Sequence, residues 1–419
     1  MVTFGKDKSD PGPGQGRTIR NGAISKLLAN ANANANANAN ANANANANAN
    51  ANANANNPPQ PKPQESPPMA MPEERRWTIR PEDSTWGDFG PDDQLGRLNL
   101  LTPEKVLQAV REVKTGRTFC LSLPLDYPGG TALNPRRKPP RIEPTLRGDK
   151  PNMVYPLSRD NPHLLDVICD DTVQMTLQYS TQWDSLAHMG QWFDSSGTGK
   201  PEMLFYNGFR AGEEIVGPLD YRVEGAPPTG RASGASKLGI ENMAAAGVQG
   251  RGVMIDLKRH FGTKRVAVGY RELMEVMEAQ QVVVESGDMV CFRTGTDEAL
   301  LDMAGDPDLS LLEGRFAAFD GRDEKLRRWI VDSNVVALIA DNAAVEMLPA
   351  APSASERYPS HPLHDLCLFR LGVYLGELWH LSELADWLHA NGRSRFLLTA
   401  PPLRLPGAVG SPVTPIASV

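Results

Sequence analysis

From Thr172 to Asp184 the sequence alternates in character. Val173, Met175, Leu177 and Tyr179 hold odd positions, while Gln174, Thr176, Gln178, Ser180, Gln182 and Asp184 hold even ones. Successive side chains of a strand point to opposite faces, so this period predicts a strand with one apolar and one polar face. Gln178, Gln182 and Asp184 then project from one side, and a turn after Asp184 returns His188 to it. A carboxylate, two amides and an imidazole on one edge are donors for a metal ion and carriers for protons. The same pattern also describes a solvated polar face with an unrelated histidine nearby.

The rest of the chain interleaves strand and helix signals. Thr102 is placed to cap a helix that starts at Pro103, carries Val106, Leu107, Val110 and Val113 on one stripe, and stops at Gly116. Arg117 to Leu125 then reads as a strand, and Asp126 to Asp166 as a long Pro- and Arg-rich loop over the site. The apolar runs Gly252–Leu257 and Val335–Ala340 read as buried strands ending in Asp256 and at Asp341-Asn342. Val282–Val284 and Met289–Arg293 read as strands joined by a tight turn at Glu285-Ser286-Gly287-Asp288. Helices are expected at residues 270–280, 323–331 and 381–389, with a last strand at 396–399. Interleaving of this kind predicts one mixed-sheet α/β domain.

The foldable part is expected at residues 76–405. Residues 1–75 include a pure Ala-Asn alternation from Ala29 to Asn56 and a Pro-dominated stretch from Asn57 to Pro68. Methyl groups alone cannot offset the entropy of ordering such a chain, so this extension is expected to be disordered. Residues 406–419 are expected to form a flexible tail. The net charge of −7, with no basic stripe, gives no footprint for nucleic acid. No apolar run approaches the roughly 20 residues that span a bilayer. Cys120, Cys169, Cys291 and Cys367 are widely spaced and read as core residues of a reducing compartment, so the cytoplasm is the expected location.

The run Ser180–His188, S-T-Q-W-D-S-L-A-H, resembles the signature of the cyclase family, which includes bacterial kynurenine formamidase. The family pattern is H-x-x-x-H-x-D-x-x-x-H, and Gln178, Gln182, Asp184 and His188 stand at its spacing. Asp184 and His188 match in type. Gln178 and Gln182 replace two histidines that are metal ligands in the family. The stretch Trp86–Glu104, W-G-D-F-G-P-D-D-Q-L-G-R-L-N-L-L-T-P-E, is similar to the N-terminal segment of the family's longer members.

The resemblance implies a swivelling β/β/α domain, a divalent metal ion (Mn or Zn) and hydrolysis of an amide, formamide or cyclic ester or amide. N-formylkynurenine, an intermediate of tryptophan catabolism, is one candidate substrate. It also implies a homo-oligomer, a dimer or tetramer, acting on a small molecule. The family pairs a histidine near H-P-L-H with a glutamate about a dozen residues later, and His364 and Glu377 hold those places. The expected metal set is therefore Gln178, Gln182, Asp184, His364 and Glu377, with His188 and Asp184 as the proton-handling pair. Amide oxygens in place of two imidazoles make this set oxygen-rich, which favours Mn²⁺ or Mg²⁺ over Zn²⁺. Trp183 and Trp192 are candidate walls for a planar substrate. Two other readings stay open: a binding protein that lost its ligands, and a metal-independent lyase using His188 and Asp184. No G-x-S-x-G occurs, and no Cys has the context of a nucleophile.

Overall fold

The computed structural model describes residues 75–419. The Ala-Asn tract, and the disorder expected for it, lie outside the described residues. Nine strands form one mixed sheet: β1 (Thr118–Cys120), β2 (Gln182–Asp184), β3 (Gln249–Asp256), β4 (Met289–Arg293), β5 (Ala337–Ala340), β6 (Tyr374–Glu377), β7 (Arg395–Thr399), β8 (Gly410–Pro412) and β9 (Ile416–Ser418). Their spatial order is β1-β9-β7-β3-β4-β5-β6-β2-β8. The central block β3-β4-β5-β6 is parallel and the flanking pairings are antiparallel. Every residue of β4, β5 and β6 is buried, as continuous apolar runs in a covered parallel sheet should be.

The sheet must curl. β8 and β9 are seven strand positions apart, about 34 Å across a flat sheet. Only Val413, Thr414 and Pro415 separate Pro412 from Ile416, a reach of at most about 14 Å. Main-chain bonds close the gap from both sides, Val413 N–H to Thr181 O at 3.1 Å and Leu121 N–H to Pro415 O at 2.8 Å.

Helices α1 (Pro103–Val110), α2 (Tyr270–Ala279), α3 (Glu324–Ser333) and α4 (Ser382–Ala390) surround the sheet. The expected N-terminal punctuation of α1 holds: the Thr102 hydroxyl accepts from Lys105 N–H, with Pro103 in the first turn. Its expected end does not: the helix stops at Val110 and not at Gly116, and it buries Lys105 and Ala109 while Leu107 and Val110 of the expected stripe are exposed. Asp323 caps α3 in the same way, accepting from Leu326 N–H at 2.7 Å. No helix among the described residues is long and apolar enough to cross a membrane.

Several expectations are corrected. The alternating run is not one strand. Asp171–Gln174 pairs with Arg141–Pro144 in an exposed arm, a turn follows, and only Gln182–Asp184 enters the main sheet as β2. The break follows from the hydroxyls: Tyr179 donates to Gly130 O at 2.9 Å and Ser180 to Pro124 O at 3.3 Å, tying the chain to a neighbouring loop instead of a ladder. The Asp126–Asp166 loop itself carries short strands, with Leu146–Arg147 against Lys150–Pro151 and Tyr155–Pro156 against Val167–Ile168. Val282–Val284 forms no strand, and β4 pairs instead with parallel neighbours. The expected flexible tail supplies β8 and β9, because Val413, Ala417 and Val419 are buried in the core. Cys291 and Cys367 are core residues as expected, while Cys120 and Cys169 are exposed.

Candidate functional site

Antiparallel pairing of β2 with β6 builds the site. The register sets Gln182 opposite Glu377, Trp183 opposite Gly376 and Asp184 opposite Leu375. Directly opposed side chains share a face, and so do residues two apart along a strand. Gln182, Asp184 and Glu377 therefore converge on one face, while Trp183 points to the other. The Gln182 amide donates to Glu377 Oε2 at 2.9 Å and to Asp184 Oδ1 at 3.4 Å.

Trp183 is fully buried; its indole N–H donates to Ala400 O at 2.8 Å and its ring meets Trp379 edge-on at 5.0 Å. Trp183 is thus a core residue and not a substrate wall, because its face of β2 is packed against the second indole. Gly376 makes room for that indole: a Cβ there would lie 2.9 Å from Trp379 Nε1. Trp192 is 49% exposed on a separate two-stranded ladder.

His364 joins from the helical segment leading into β6. Its Nε2 lies 3.3 Å from Glu377 Oε1 and 3.8 Å from Asp184 Oδ2. Its Nδ1–H donates to Glu346 Oε1 at 2.7 Å, and Glu346 also accepts the main-chain N–H groups of Leu363 at 3.0 Å and His364 at 3.1 Å. Burial alone pushes the His364 imidazole down, but the hydrogen bonds to Glu346 and Glu377 outweigh it and raise it to about 10. Burial raises the Asp184 carboxyl, an effect that His188 opposes and Glu377 reinforces. His188 Nε2 stands 3.8 Å from Asp184 Oδ2, with the side chain 20% exposed.

Whether this group suits a divalent ion follows from its donors. Asp184, His364 and Glu377 each offer an atom within 4.8 Å of the others. Ligands about 2.1 Å from a shared ion stand roughly 3 to 4 Å from one another, so small shifts would complete the set. Two buried oxygens here, Gln182 Oε1 and Asp184 Oδ2, have no hydrogen-bond partner. Buried acceptors are rarely left so, and a cation would satisfy both. Glu346 behind His364 is the carboxylate that commonly orients a metal-binding imidazole. The residues fit the group. Of the residues predicted from sequence, Gln182, Asp184, His364 and Glu377 are brought together, with His188 beside them. Gln178 makes no hydrogen bond to them; its amide lies against Gly410, where a Cβ would stand 2.5 Å from Nε2.

Above the cluster opens a cleft of about 1330 Å³, lined among others by Arg137, Tyr179, His188, His361, His364 and Glu377. Two of these participants were missed in the sequence. Glu346 is a lone carboxylate in the otherwise apolar run Ala343–Leu348, the same signal that marks Glu377. Arg137 sits in an Arg-rich loop without distinguishing pattern.

The chain is similar to known proteins over most of this region. The family model named Cyclase matches residues 120–347, more than half of the chain. No curated protein matches the sequence. A crystal structure of a novel cyclase is 31% identical, with a TM-score of 0.61, covering 80% of this chain and 97% of that chain. A predicted metal-dependent hydrolase from Bacillus stearothermophilus is 16% identical over 73% of this chain and 98% of its own, with a TM-score of 0.40. Isatin hydrolase A from Labrenzia aggregata is 16% identical over 72% and 93%, with a TM-score of 0.43. On the matched segment and the 31% identical relative together, this chain belongs to the cyclase family.

Proposed function

We propose that the protein is a hydrolase that cleaves the carbonyl–nitrogen bond of an amide, formamide or cyclic amide, with an arylformamidase-type substrate as first candidate. The carrying observation is the buried convergence of Asp184, His364, Glu377 and Gln182 on the cleft floor, with two acceptor oxygens unpartnered. Asp184, His364 and Glu377 would hold a divalent ion, with the Gln182 amide oxygen as a further donor. One nitrogen among oxygens favours Mn²⁺ over Zn²⁺. When bound, such an ion acidifies water and polarises a carbonyl.

The chain's own residues supply the rest. Glu346 holds the His364 ring through Nδ1, and Gln182 holds the Glu377 carboxylate. His188 is partly exposed at the cleft, its Nε2 3.8 Å from Asp184 Oδ2, near enough for charge attraction though too far for a hydrogen bond. In the proposed reaction water oxygen bonds to the carbonyl carbon and the C–N bond breaks. His188 takes the proton from water and returns it to the departing nitrogen. A metal-free version is favoured by one observation: His364 Nε2 lies 3.3 Å from Glu377 Oε1 and 3.8 Å from Asp184 Oδ2, so a proton there would balance the carboxylates. The homo-oligomer implied by the family resemblance is supported by the exposed apolar side chains of the arm, Ile142, Leu146, Val154 and Leu165. A cytoplasmic location is part of the same reading.

The test is a turnover screen of formanilides, anilides and cyclic amides with Mn-loaded protein. General acid–base assistance contributes about 10²–10⁴-fold, so His188→Gln should lower kcat by at least about 100-fold without changing the melting temperature. Equal turnover by wild type and His188→Gln would remove His188 from the reaction.

A further inference from the structure

Arg137 is a cation held ready over the site with its donors unspent. Its Nη1 is 3.8 Å from Glu377 Oε2, its side chain is 22% exposed, and it lines the same cleft as His188, His364 and Glu377. That separation is too long for a hydrogen bond. Among the described residues the guanidinium makes none. Buried arginines elsewhere in the chain behave differently. Arg251 places its donors on Asp288 at 2.8 and 2.9 Å, and Arg293 reaches Ser382, Asp256, Asp386 and Glu298.

The backbone around Arg137 is fixed. Arg137 N–H donates to Asn134 O at 3.0 Å, and Lys138 exchanges bonds with Thr176 on the facing segment at 2.9 and 3.2 Å. Gly130 O accepts the Tyr179 hydroxyl at 2.9 Å. Gly129, at φ +97°, presses on Gly305 so closely that a Cβ would stand 1.7 Å from its carbonyl oxygen. This loop therefore presents its arginine from a set position.

The charge of the cleft wall points the same way. Arg136, Arg265 and Arg315 line it together with Arg137. Of the lining carboxylates, Glu346 and Glu377 are engaged by His364 and Gln182, and Glu313 remains. A guanidinium with free donors in a fixed fork matches a planar carboxylate.

We propose that Arg137 is a specificity-determining residue that pairs with a carboxylate of the substrate. The substrate class is then an amide or formamide that carries a carboxylate within reach of the scissile bond. The substrate assignment rests on the hydrolase reading above; the carboxylate site does not.

The test is binding, not turnover. Benzoate and acetophenone, an uncharged isostere with no scissile bond, are titrated calorimetrically into the full chain, with and without EDTA. The proteins are wild type, Arg137→Gln, Arg137→Lys and Arg141→Gln, which lies on the exposed arm and does not line the cleft. Wild type and Arg141→Gln should prefer benzoate by about tenfold or more, the worth of one charge-assisted pair. Arg137→Gln should lose the preference and Arg137→Lys should keep part of it, in both conditions. A benzoate preference undiminished in folded Arg137→Gln would overturn the proposal. So would a preference that EDTA abolishes, since a metal ion and not Arg137 would then hold the carboxylate. If no amide is turned over but the Arg137-dependent preference persists, the hydrolase reading fails and the carboxylate site stands.

Discussion

Replacing Glu346 by Gln changes one atom and one charge behind the candidate ligand His364. The carboxylate accepts three hydrogen bonds, from His364 Nδ1–H at 2.7 Å, His364 N–H at 3.1 Å and Leu363 N–H at 3.0 Å. The first two converge on Oε1, which an amide oxygen can replace. The third goes to Oε2, where the amide of Gln would set a donor against a donor. One buried N–H is left without a partner, at a cost of about 1 to 3 kcal/mol. The charge that favours imidazolium also goes, so the His364 imidazole should fall from about 10. Removing the carboxylate behind a metal-binding imidazole lowers metal affinity about 10- to 100-fold, or about 1.4 to 2.7 kcal/mol. Electron paramagnetic resonance of free Mn²⁺ gives the affinity directly, and urea unfolding of the metal-free protein gives the stability. An unchanged Mn²⁺ affinity in a folded Glu346→Gln protein would refute the assignment of His364 as a ligand.

Trp183→Ala should cost about 3 to 5 kcal/mol in urea unfolding, since the indole is fully buried against Trp379 and loses its bond to Ala400 O. Gly376→Ala should cost about 1 to 3 kcal/mol, because the added methyl meets Trp379 Nε1 at 2.9 Å and Ile339 Cγ1 at 3.1 Å. Acid should destabilise the fold through two carboxylates. Burial pushes Asp297 up, but bonds from His380 and Ser382 hold it at about 2, and the Arg251 guanidinium holds Glu285 at about 2. Both lie below their ordinary 3.8 and 4.5, so their contribution is complete above those values and is lost as the pH falls towards 2. Urea midpoints at successive pH values should drop most steeply in that window. Asp297→Asn should flatten the drop more than Glu285→Gln, since Glu285 is 42% exposed and screened by solvent.

The sequence made part of this site legible for local reasons. Asp184 and His188 stand in one short segment, so spacing alone brings them together. Glu377 ends an apolar run, where a carboxylate needs a partner. Arg137 carried no such local mark; Glu346 carried the same one as Glu377 but no motif spacing beside it, and only the packing of distant segments brings either residue to the cleft. The alternation from Thr172 to Asp184 misled for a related reason. Period two is satisfied by two short strands as well as by one long one, and the hydroxyls of Tyr179 and Ser180 decide where the chain breaks. β8 and β9 were hidden because each has three residues in a Pro-rich stretch and exists only through long-range pairing. The longer central strands and capped helices, set by local pattern, were legible.

The central claim is that Asp184, His364 and Glu377 hold a divalent ion. Its most direct test is the metal content of wild type and Asp184→Ala after saturation with Mn²⁺ and removal of the excess. The account predicts about one ion per chain in wild type and its loss in folded Asp184→Ala. No bound ion in either protein would contradict it and leave the imidazolium of His364 as the cation of the site.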